Sequence, residues 1–160
     1  MKIHLIAIGQ RPPDWVRAGY AEYAKRLPPQ CQLNLVEIPA AKRSKSVSPR
    51  QAAEAESARM RKATPSDCTV IALDERGKPW TTNNLAAQLK RWMASGRDTA
   101  LLVGGADGLG AECLSLATDR WSLSALTFPH ALVRIVVAEQ IYRAWTVLQN
   151  HPYHRGDSRK

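Results

Sequence analysis

The sequence lacks the segments that direct proteins into or across membranes. None of its apolar runs approaches the roughly 20 residues that a membrane-spanning helix needs. Residues 1–15 contain an apolar run that is too short for the core of a signal peptide, and no small-residue cleavage site follows it. We therefore expect a cytoplasmic protein with no membrane partner, in which the N-terminal run forms the first strand.

Cysteines are few, and their arrangement is not that of a cross-linked or zinc-binding domain. Cys31, Cys68 and Cys113 are odd in number and far apart, and no CxxC pair occurs. Disulfide frameworks and structural zinc sites need paired or clustered cysteines. We expect reduced, buried thiols and no bound metal.

The common nucleotide-binding fingerprints are absent as well. Residues 104–110 read GGADGLG, which is not the G-x-G-x-x-G order, and no Gly-Lys-Ser/Thr follows as in a P-loop. The segment also follows the fourth predicted strand, not the first, which counts against a nicotinamide-dependent oxidoreductase. The glycines alone favour a tight strand–helix turn over a turn that lets a ligand approach the backbone.

Positive charge is plentiful and unevenly distributed. The chain of 160 residues has a formal net charge of +9, and residues 1–50 hold nine Lys/Arg against three Asp/Glu. The segment 39–50 contains Lys42, Arg43, Lys45 and Arg50 without an acidic residue. Such a local excess is typical of a protein that binds a phosphate-rich partner. Charge alone leaves open a solvated basic surface that serves solubility.

Apolar runs alternate with helical patterns along the whole chain. This order predicts an α/β domain over residues 1–160, with a mainly parallel sheet and helices on both faces. Strands are predicted at residues 2–8, 32–38, 68–73, 99–103 and 121–126. Helices are predicted at residues 15–26, 49–62, 82–95, 109–118 and 129–149. Residues 74–79 are predicted to form a turn.

In parallel sheets, ligands bind beyond the carboxyl ends of the strands. Three predicted strand ends, after Leu73, Val103 and Leu126, are therefore candidate ligand sites. Ser122, Ser124 and Thr127 near the last of them can bind a ligand's polar rim or satisfy local backbone groups.

The last helix and the tail add further candidates. His130 and Arg134 are one helical turn apart, and for His130 a functional role is an even alternative to a structural one. Glu139 and Arg143 are better explained as an i,i+4 ion pair than as catalytic groups. The tail, residues 150–155, reads NHPYHR, and its rings and guanidinium suit base stacking and phosphate binding; a frayed end is the alternative.

Six segments together resemble the ribosomal RNA large subunit methyltransferase H (RlmH) family of SPOUT-class methyltransferases. They are PDWV (13–16), EIPAAKR (37–43), LDERGKPW (73–80), GGADGL (104–109), WSLSALTFPHALVRIVVAEQIYRAW (121–145) and NHPYHR (150–155). The resemblance covers essentially the whole chain. It implies an S-adenosylmethionine-dependent enzyme that methylates N3 of a pseudouridine in 23S ribosomal RNA, within the large subunit or the assembled ribosome. It also implies a trefoil knot in the C-terminal half and a homodimer with its sites at the interface.

The family's site residues carry over to matching positions of this sequence. The implied cofactor-binding residues are Leu73, Gly104, Gly105, Leu123, Ser124, Ala125, Leu126, Thr127 and Phe128. The hypothesised catalytic residues are Tyr153, His154 and Arg155 of the partner subunit's tail, with His130, Arg134 and Arg143 as secondary candidates. The hypothesised RNA-binding residues are Lys42, Arg43, Lys45, Arg50 and His151. Residues 156–160 are expected to be a mobile tail.

One alternative from a different class stays open. A non-catalytic RNA- or ribosome-binding module would explain the positive charge. It would not explain the glycine turn or the Ser/Thr-lined strand end.

Overall fold

A computed structural model describes residues 1–159, with the backbone alone for residues 156–159. Within that range five strands alternate with five α-helices, and two short 3-10 helices lie at Pro29–Cys31 and Pro152–Arg159. The strands are β1 (Lys2–Ile8), β2 (Gln32–Ile38), β3 (Thr69–Pro79), β4 (Thr99–Val103) and β5 (Asp119–Ser122). The helices are α1 (Asp14–Ala24), α2 (Pro49–Ala63), α3 (Thr82–Ser95), α4 (Ala111–Leu116) and α5 (His130–Leu148). The predicted α/β class is confirmed.

The strands form one parallel sheet in the order β2-β1-β4-β3-β5. After β1 the chain continues to β2 at one edge, whereas after β4 it continues to β5 at the opposite edge. The connections that follow the adjacent strands β1 and β4 therefore lead towards opposite edges of the sheet. A parallel sheet opens a crevice for ligands at the carboxyl end of its strands where the strand order reverses in this way.

Helices cover both faces of the sheet. Leu5 and Leu101 belong to the core under α3 and α5, whereas their chain neighbours Ile6 and Leu102 belong to the core under α2 and α4. Successive side chains of a strand point to opposite faces, so a strand covered on both sides is apolar throughout. All five residues of β4 are buried, and four of them are the apolar residues Ala100–Val103.

The predicted helix ends are set by local side-chain chemistry. Ser48 caps α2 and exchanges hydrogen bonds with Gln51 in a capping box, with Pro49 at the first helical position. Thr81 caps α3, and Gly96 ends it with a left-handed φ of +70°. Cys31 and Cys113 are buried free thiols, as expected, whereas Cys68 is a free thiol that is only half-buried.

Three predicted boundaries are wrong. β5 ends at Ser122, not at residue 126, because Ser122 and Ser124 bind backbone groups of the following loop. β3 runs on through the predicted turn at 74–79, because after a register shift Lys78 and Pro79 pair with β5. The fourth helix spans only Ala111–Leu116.

The C-terminal helix α5 packs against α1 and α3 and leads into a short ordered tail. Asn150 adopts a left-handed φ of +53°, and the His151 amide donates to the Thr146 carbonyl at 2.9 Å. The 3-10 helix at Pro152–Arg159 follows. Lys160 lies outside the described residues, and the mobile tail at 156–160 stays a prediction, as does the trefoil knot. No helix within residues 1–159 is long and apolar enough to cross a membrane.

Candidate active site

A cleft of about 580 Å³ lies at the carboxyl ends of β3, β4 and β5. Three segments form most of its wall: residues 73–76, residues 103–109, and residues 121–124 with 126–130. Its volume falls within the range of small-molecule sites, about 300–1,000 Å³. The three strand ends singled out in the sequence therefore meet at one site.

The glycine turn, residues 104–108, forms the wall after β4. The Gly108 amide donates to the Gly105 carbonyl at 3.1 Å, and Gly108 has a φ of +74°. A Cβ on Gly104 would lie 2.5 Å from the Gly108 carbonyl carbon, which is closer than real Cβ atoms approach. The two readings of these glycines are thus compatible, because the turn is tight and also lines the cleft.

The loop between β5 and α5 forms the opposite wall. Leu123, Ser124 and residues 126–128 line the cleft, whereas Ala125 is exposed and is not among the lining residues. The hydroxyl of Ser124 accepts a hydrogen bond from the Leu126 amide at 2.9 Å. Leu126 itself is 73% exposed. The serine hydroxyls therefore shape the loop, and the loop's backbone and apolar side chains face the cleft.

Two buried polar atoms beside the cleft have no hydrogen-bond partner among the described residues. One is Oδ2 of Asp74, whose side chain is 10% exposed and lies 4.0 Å from the Arg120 guanidinium. The other is Nε1 of Trp121, whose ring stacks on Trp80 at 5.1 Å. The sequence favoured a charged turn residue over a ligand acceptor for Asp74 and did not single out Trp121, because the place of each depends on the register of β3 against β5. A ligand that offers both a donor and an acceptor suits such a wall.

His130 and Arg134 have different surroundings although they are one helical turn apart. His130 is exposed and lines the cleft. Arg134 is 2% exposed and is not among the lining residues. Its Nη1 donates to Glu37 at 2.8 Å, and its Nη2 donates to the carbonyl oxygens of Gly9 at 2.6 Å and Ile8 at 3.2 Å. Arg134 therefore ties α5 to the ends of β1 and β2, behind the cleft.

Arg143 and Tyr153 share the carboxylate of Glu139. The predicted i,i+4 ion pair is present, with Arg143 Nη2 2.6 Å from Glu139 Oε1. The Tyr153 hydroxyl donates to the same oxygen at 3.0 Å, and its ring meets Tyr142 edge-on at 4.7 Å. Burial and then the charge of Glu139 raise the pKa of Tyr153 to about 12. The hydroxyl of Tyr153 is therefore protonated near neutral pH in this arrangement.

The tail of a chain docks far from the cleft of the same chain. His130 lines the cleft, whereas Glu139, which receives Tyr153, is nine residues further along α5. At 1.5 Å per residue the two positions are about 13 Å apart along the helix axis. None of residues 150–155 is among the lining residues of the cleft.

The four basic residues of the segment 39–50 are not equivalent. Lys42 and Lys45 are exposed. Arg50 forms an exposed i,i+4 pair with Glu54 at 3.0 Å. Arg43 instead points inward and forms an ion pair with Asp107 of the glycine turn at 2.9 Å.

Metal-binding clusters are not found in the part of the chain that the structure describes. No three His, Cys, Asp or Glu side chains of residues 1–159 come together as a potential metal site.

Comparisons with known proteins agree with the geometry. Residues 1–154 match the family model described as predicted SPOUT methyltransferase. Proteins named ribosomal RNA large subunit methyltransferase H from Thioalkalivibrio sulfidiphilus and Nitrosococcus oceani are 59% and 54% identical over 155 residues, covering 97% of this chain and 99% of each relative. A probable methylase family protein from Haemophilus influenzae has a similar fold, with a TM-score of 0.54, 18% identity, and coverage of 92% of this chain and 66% of that chain.

Proposed function

The chain belongs to the ribosomal RNA large subunit methyltransferase H family of SPOUT methyltransferases, and from this premise we propose that it transfers a methyl group from S-adenosylmethionine to N3 of a pseudouridine in 23S ribosomal RNA. The observation that carries the proposal is the cleft at the ends of β3, β4 and β5. Its walls include three of the segments that carry the family resemblance: the start of LDERGKPW, GGADGL and the first part of residues 121–145.

The cleft has the features that the methyl donor requires. Leu123 and Phe128 offer apolar surface for a flat ring, and the glycine turn exposes backbone to polar groups. Asp74 and Trp121 supply a buried acceptor and a buried donor at the wall. S-adenosylmethionine supplies a methyl group on a sulfonium centre that is already activated for transfer to a ring nitrogen. The chain's own contribution is therefore to hold donor and acceptor in line and to exclude water.

The acceptor base is served by the tail of a second subunit in this proposal. Tyr153 of a chain lies at Glu139, about 13 Å along α5 from that chain's own cleft. A two-fold pairing that runs two α5 helices antiparallel brings the tail end of one helix to the cleft end of the other. The exposed Trp15 on α1 and Leu126 beside the cleft, 59% and 73% exposed, are apolar surface that such a dimer buries.

The roles of the tail residues follow from their chemistry. The ring nitrogen that accepts the methyl group carries a proton that has to leave. His154 is the candidate that assists its departure, because Tyr153 holds its own proton and acts by contacting the base. Arg155 is exposed and binds phosphate, and His151 contacts the RNA beside it.

Recognition of the RNA rests on the body of the protein and its basic surface. Lys42 and Lys45 are exposed and bind phosphates of the ribosomal RNA, with Arg50 beside them. So small a footprint fits a target that is already structured within the large subunit or the assembled ribosome. The protein accordingly acts in the cytoplasm, where ribosomes are.

The decisive experiment incubates the protein with labelled S-adenosylmethionine and purified ribosomal particles, and then maps the methylated nucleotide. Label at N3 of one pseudouridine of 23S RNA is the expected result. Calorimetry with S-adenosylmethionine separates this proposal from a non-catalytic RNA-binding module, which would give no heat. Absence of both heat and label would refute the proposed activity.

A mixing experiment tests whether the tail acts across a dimer. One chain lacks residues 151–160, and the other carries Gly104→Val, which blocks the glycine turn. Each homodimer should be inactive, and a mixed dimer should regain activity because the intact cleft of one chain meets the intact tail of the other. Mixed dimers without activity would show that cleft and tail must belong to the same chain.

A further inference from the structure

The basic loop, residues 39–48, is fastened to helix α2 by Arg59, which donates to the Pro39 carbonyl at 2.8 Å, and by one buried carboxylate. Glu56 of α2 is 1% exposed, and its Oε2 accepts a hydrogen bond from the Ala41 amide at 3.0 Å. Arg43 approaches the same carboxylate with Nη1 at 3.4 Å and Nη2 at 3.5 Å. A buried carboxylate needs such partners, because its desolvation is costly when it is unpaired.

Arg43 also reaches the wall of the cleft. Its Nη2 lies 2.9 Å from Oδ2 of Asp107, which stands within the glycine turn and lines the cleft. Its Nη1 donates to the Ala41 carbonyl at 2.9 Å. A single guanidinium therefore joins the backbone of the basic loop, the buried Glu56 and the glycine turn.

Helix α2 lies beside the glycine turn and the segment that follows it. The hydroxyl of Ser57 accepts a hydrogen bond from the Gly110 amide, two residues after the turn, at 2.7 Å. A Cβ on Gly105 would lie 3.4 Å from Oε1 of Glu56, so the start of the turn passes close to the carboxylate that holds Arg43. Glu56 and Ser57 are consecutive, so a shift of the turn acts directly on the group to which the basic loop is attached.

We propose that Arg43 is a positioning residue that couples the basic loop to the cleft, so that binding of the methyl donor and binding of ribosomal RNA strengthen each other. The proposal rests on the proposed function. A methyl donor that contacts the backbone of the glycine turn keeps Asp107 in contact with Arg43. The Arg43 guanidinium then keeps residues 41–43 in place. The exposed Lys42 and Lys45 beside them are then ordered for RNA phosphates.

The coupling is reciprocal and modest. If the donor raises the affinity for RNA by some factor, RNA must raise the affinity for the donor by the same factor. The Arg43 side chain is 39% exposed and that of Asp107 24% exposed, so water weakens their ion pair. We expect a factor of about three, since partly exposed pairs contribute little.

The experiment measures the affinity of the full-length protein for purified large ribosomal subunits by co-sedimentation, with and without saturating S-adenosylhomocysteine. The ratio of the two dissociation constants is the coupling factor. We expect about three for the wild type and about one for Arg43→Met. The matched control, Lys42→Met, should bind the subunits more weakly and keep the factor of the wild type.

A second variant approaches the contact from the cleft side. Asp107→Asn removes the charge of the turn, so the coupling factor of this variant should also fall to about one. In the absence of S-adenosylhomocysteine, its affinity for ribosomal subunits should equal that of the wild type. Melting curves of all variants confirm folding, and a merely structural role would lower the melting temperature without changing the factor.

Three results would overturn the inference. In the first, Arg43→Met keeps the coupling factor of the wild type. In the second, the coupling factor of Lys42→Met falls as far as that of Arg43→Met. In the third, the wild type itself has a coupling factor of one, so the two ligands bind independently. If the wild type bound no S-adenosylhomocysteine at all, the proposed function would fail and this inference with it.

Discussion

Replacing Arg134 with methionine tests whether this buried arginine is part of the scaffold. The guanidinium bonds Glu37 at 2.8 Å and the carbonyl oxygens of Gly9 and Ile8 at 2.6 and 3.2 Å. Arg134→Met keeps an apolar stem and leaves these three acceptors without that partner. Breaking a buried ion pair costs about 3–5 kcal/mol, and an unpaired buried carbonyl costs about 1–3 kcal/mol. Because the Glu37 side chain is 32% exposed and water can reach it, we expect a loss near the lower end, about 3 kcal/mol.

The assay is equilibrium unfolding in urea at one fixed protein concentration, because the stability of the proposed dimer would depend on concentration. The matched control is Arg50→Met, the same change at an arginine whose side chain is 88% exposed in its pair with Glu54. That variant should lose no more than about 0.5 kcal/mol. Arg134→Lys should lie between wild type and Arg134→Met, since an ammonium cannot reproduce the fork of a guanidinium.

The opposite pattern would refute the structural assignment of Arg134. If Arg134→Met unfolded within about 1 kcal/mol of the wild type but had lost methyl transfer, the guanidinium would act on a substrate and not on the strand ends. The secondary catalytic role that the sequence suggested for Arg134 would then be restored.

Three further predictions concern the cleft, the tail and the basic loop. Gly104→Ala places a Cβ about 2.5 Å from the Gly108 backbone, so calorimetry should show donor binding at least about tenfold weaker, with unchanged circular dichroism. Tyr153 has a pKa raised to about 12, so its stabilising contribution is complete below its unfolded pKa of about 10 and is lost as pH rises towards 12. Tyr153→Phe should therefore reduce the drop in urea stability between pH 9 and pH 11.5, and an unchanged drop would contradict the burial of the Tyr153 hydroxyl beside the charge of Glu139. Lys45→Met should lower the slope of log affinity for ribosomal subunits against log salt by about 0.7–0.9, and Arg50→Met, whose charge is already paired with Glu54, by less.

Elements with local signals could be predicted from the sequence closely. The predicted start of α2 and end of α3 matched because each depends on residues close in the sequence, the cap at Ser48 with Pro49 and the glycine Gly96. The strand β4 matched at both ends because four of its five residues are apolar and a glycine turn follows it. The extension of β3 was missed because Lys78 pairs with Trp121, 43 positions away, and only this pairing makes a charged segment part of the sheet.

The place of the cleft could also be predicted from the sequence, whereas groups that depend on long-range pairing could not. Segments that follow parallel strands share one edge of the sheet, so the positions of Leu73, Gly104 and Leu123 in one cleft follow from strand order alone. Ala125 stays a prediction, although its side chain is exposed and does not line the cleft. The sequence favoured a solvated turn residue over a ligand acceptor for Asp74, since a charged residue after a strand is usually only that, and it gave no signal for Trp121.

The net charge of +9 does not by itself show which basic residues can bind RNA. Arg134 is buried against Glu37 and two carbonyl groups, and Arg43 is held by Glu56 and Asp107, so these two charges act mainly on the protein itself. Affinity for a polyanion comes from cations that can displace counterions at its phosphates, and those cations must be exposed. Within the basic loop this leaves Lys42 and Lys45 as the strongest candidates for the ribosomal RNA, and Arg76, 79% exposed, is a further exposed cation in the wall of the cleft. Arg43 and Arg134, which are held by carboxylates, fix the loops beside the cleft, so charge, fold and site depend on one another here.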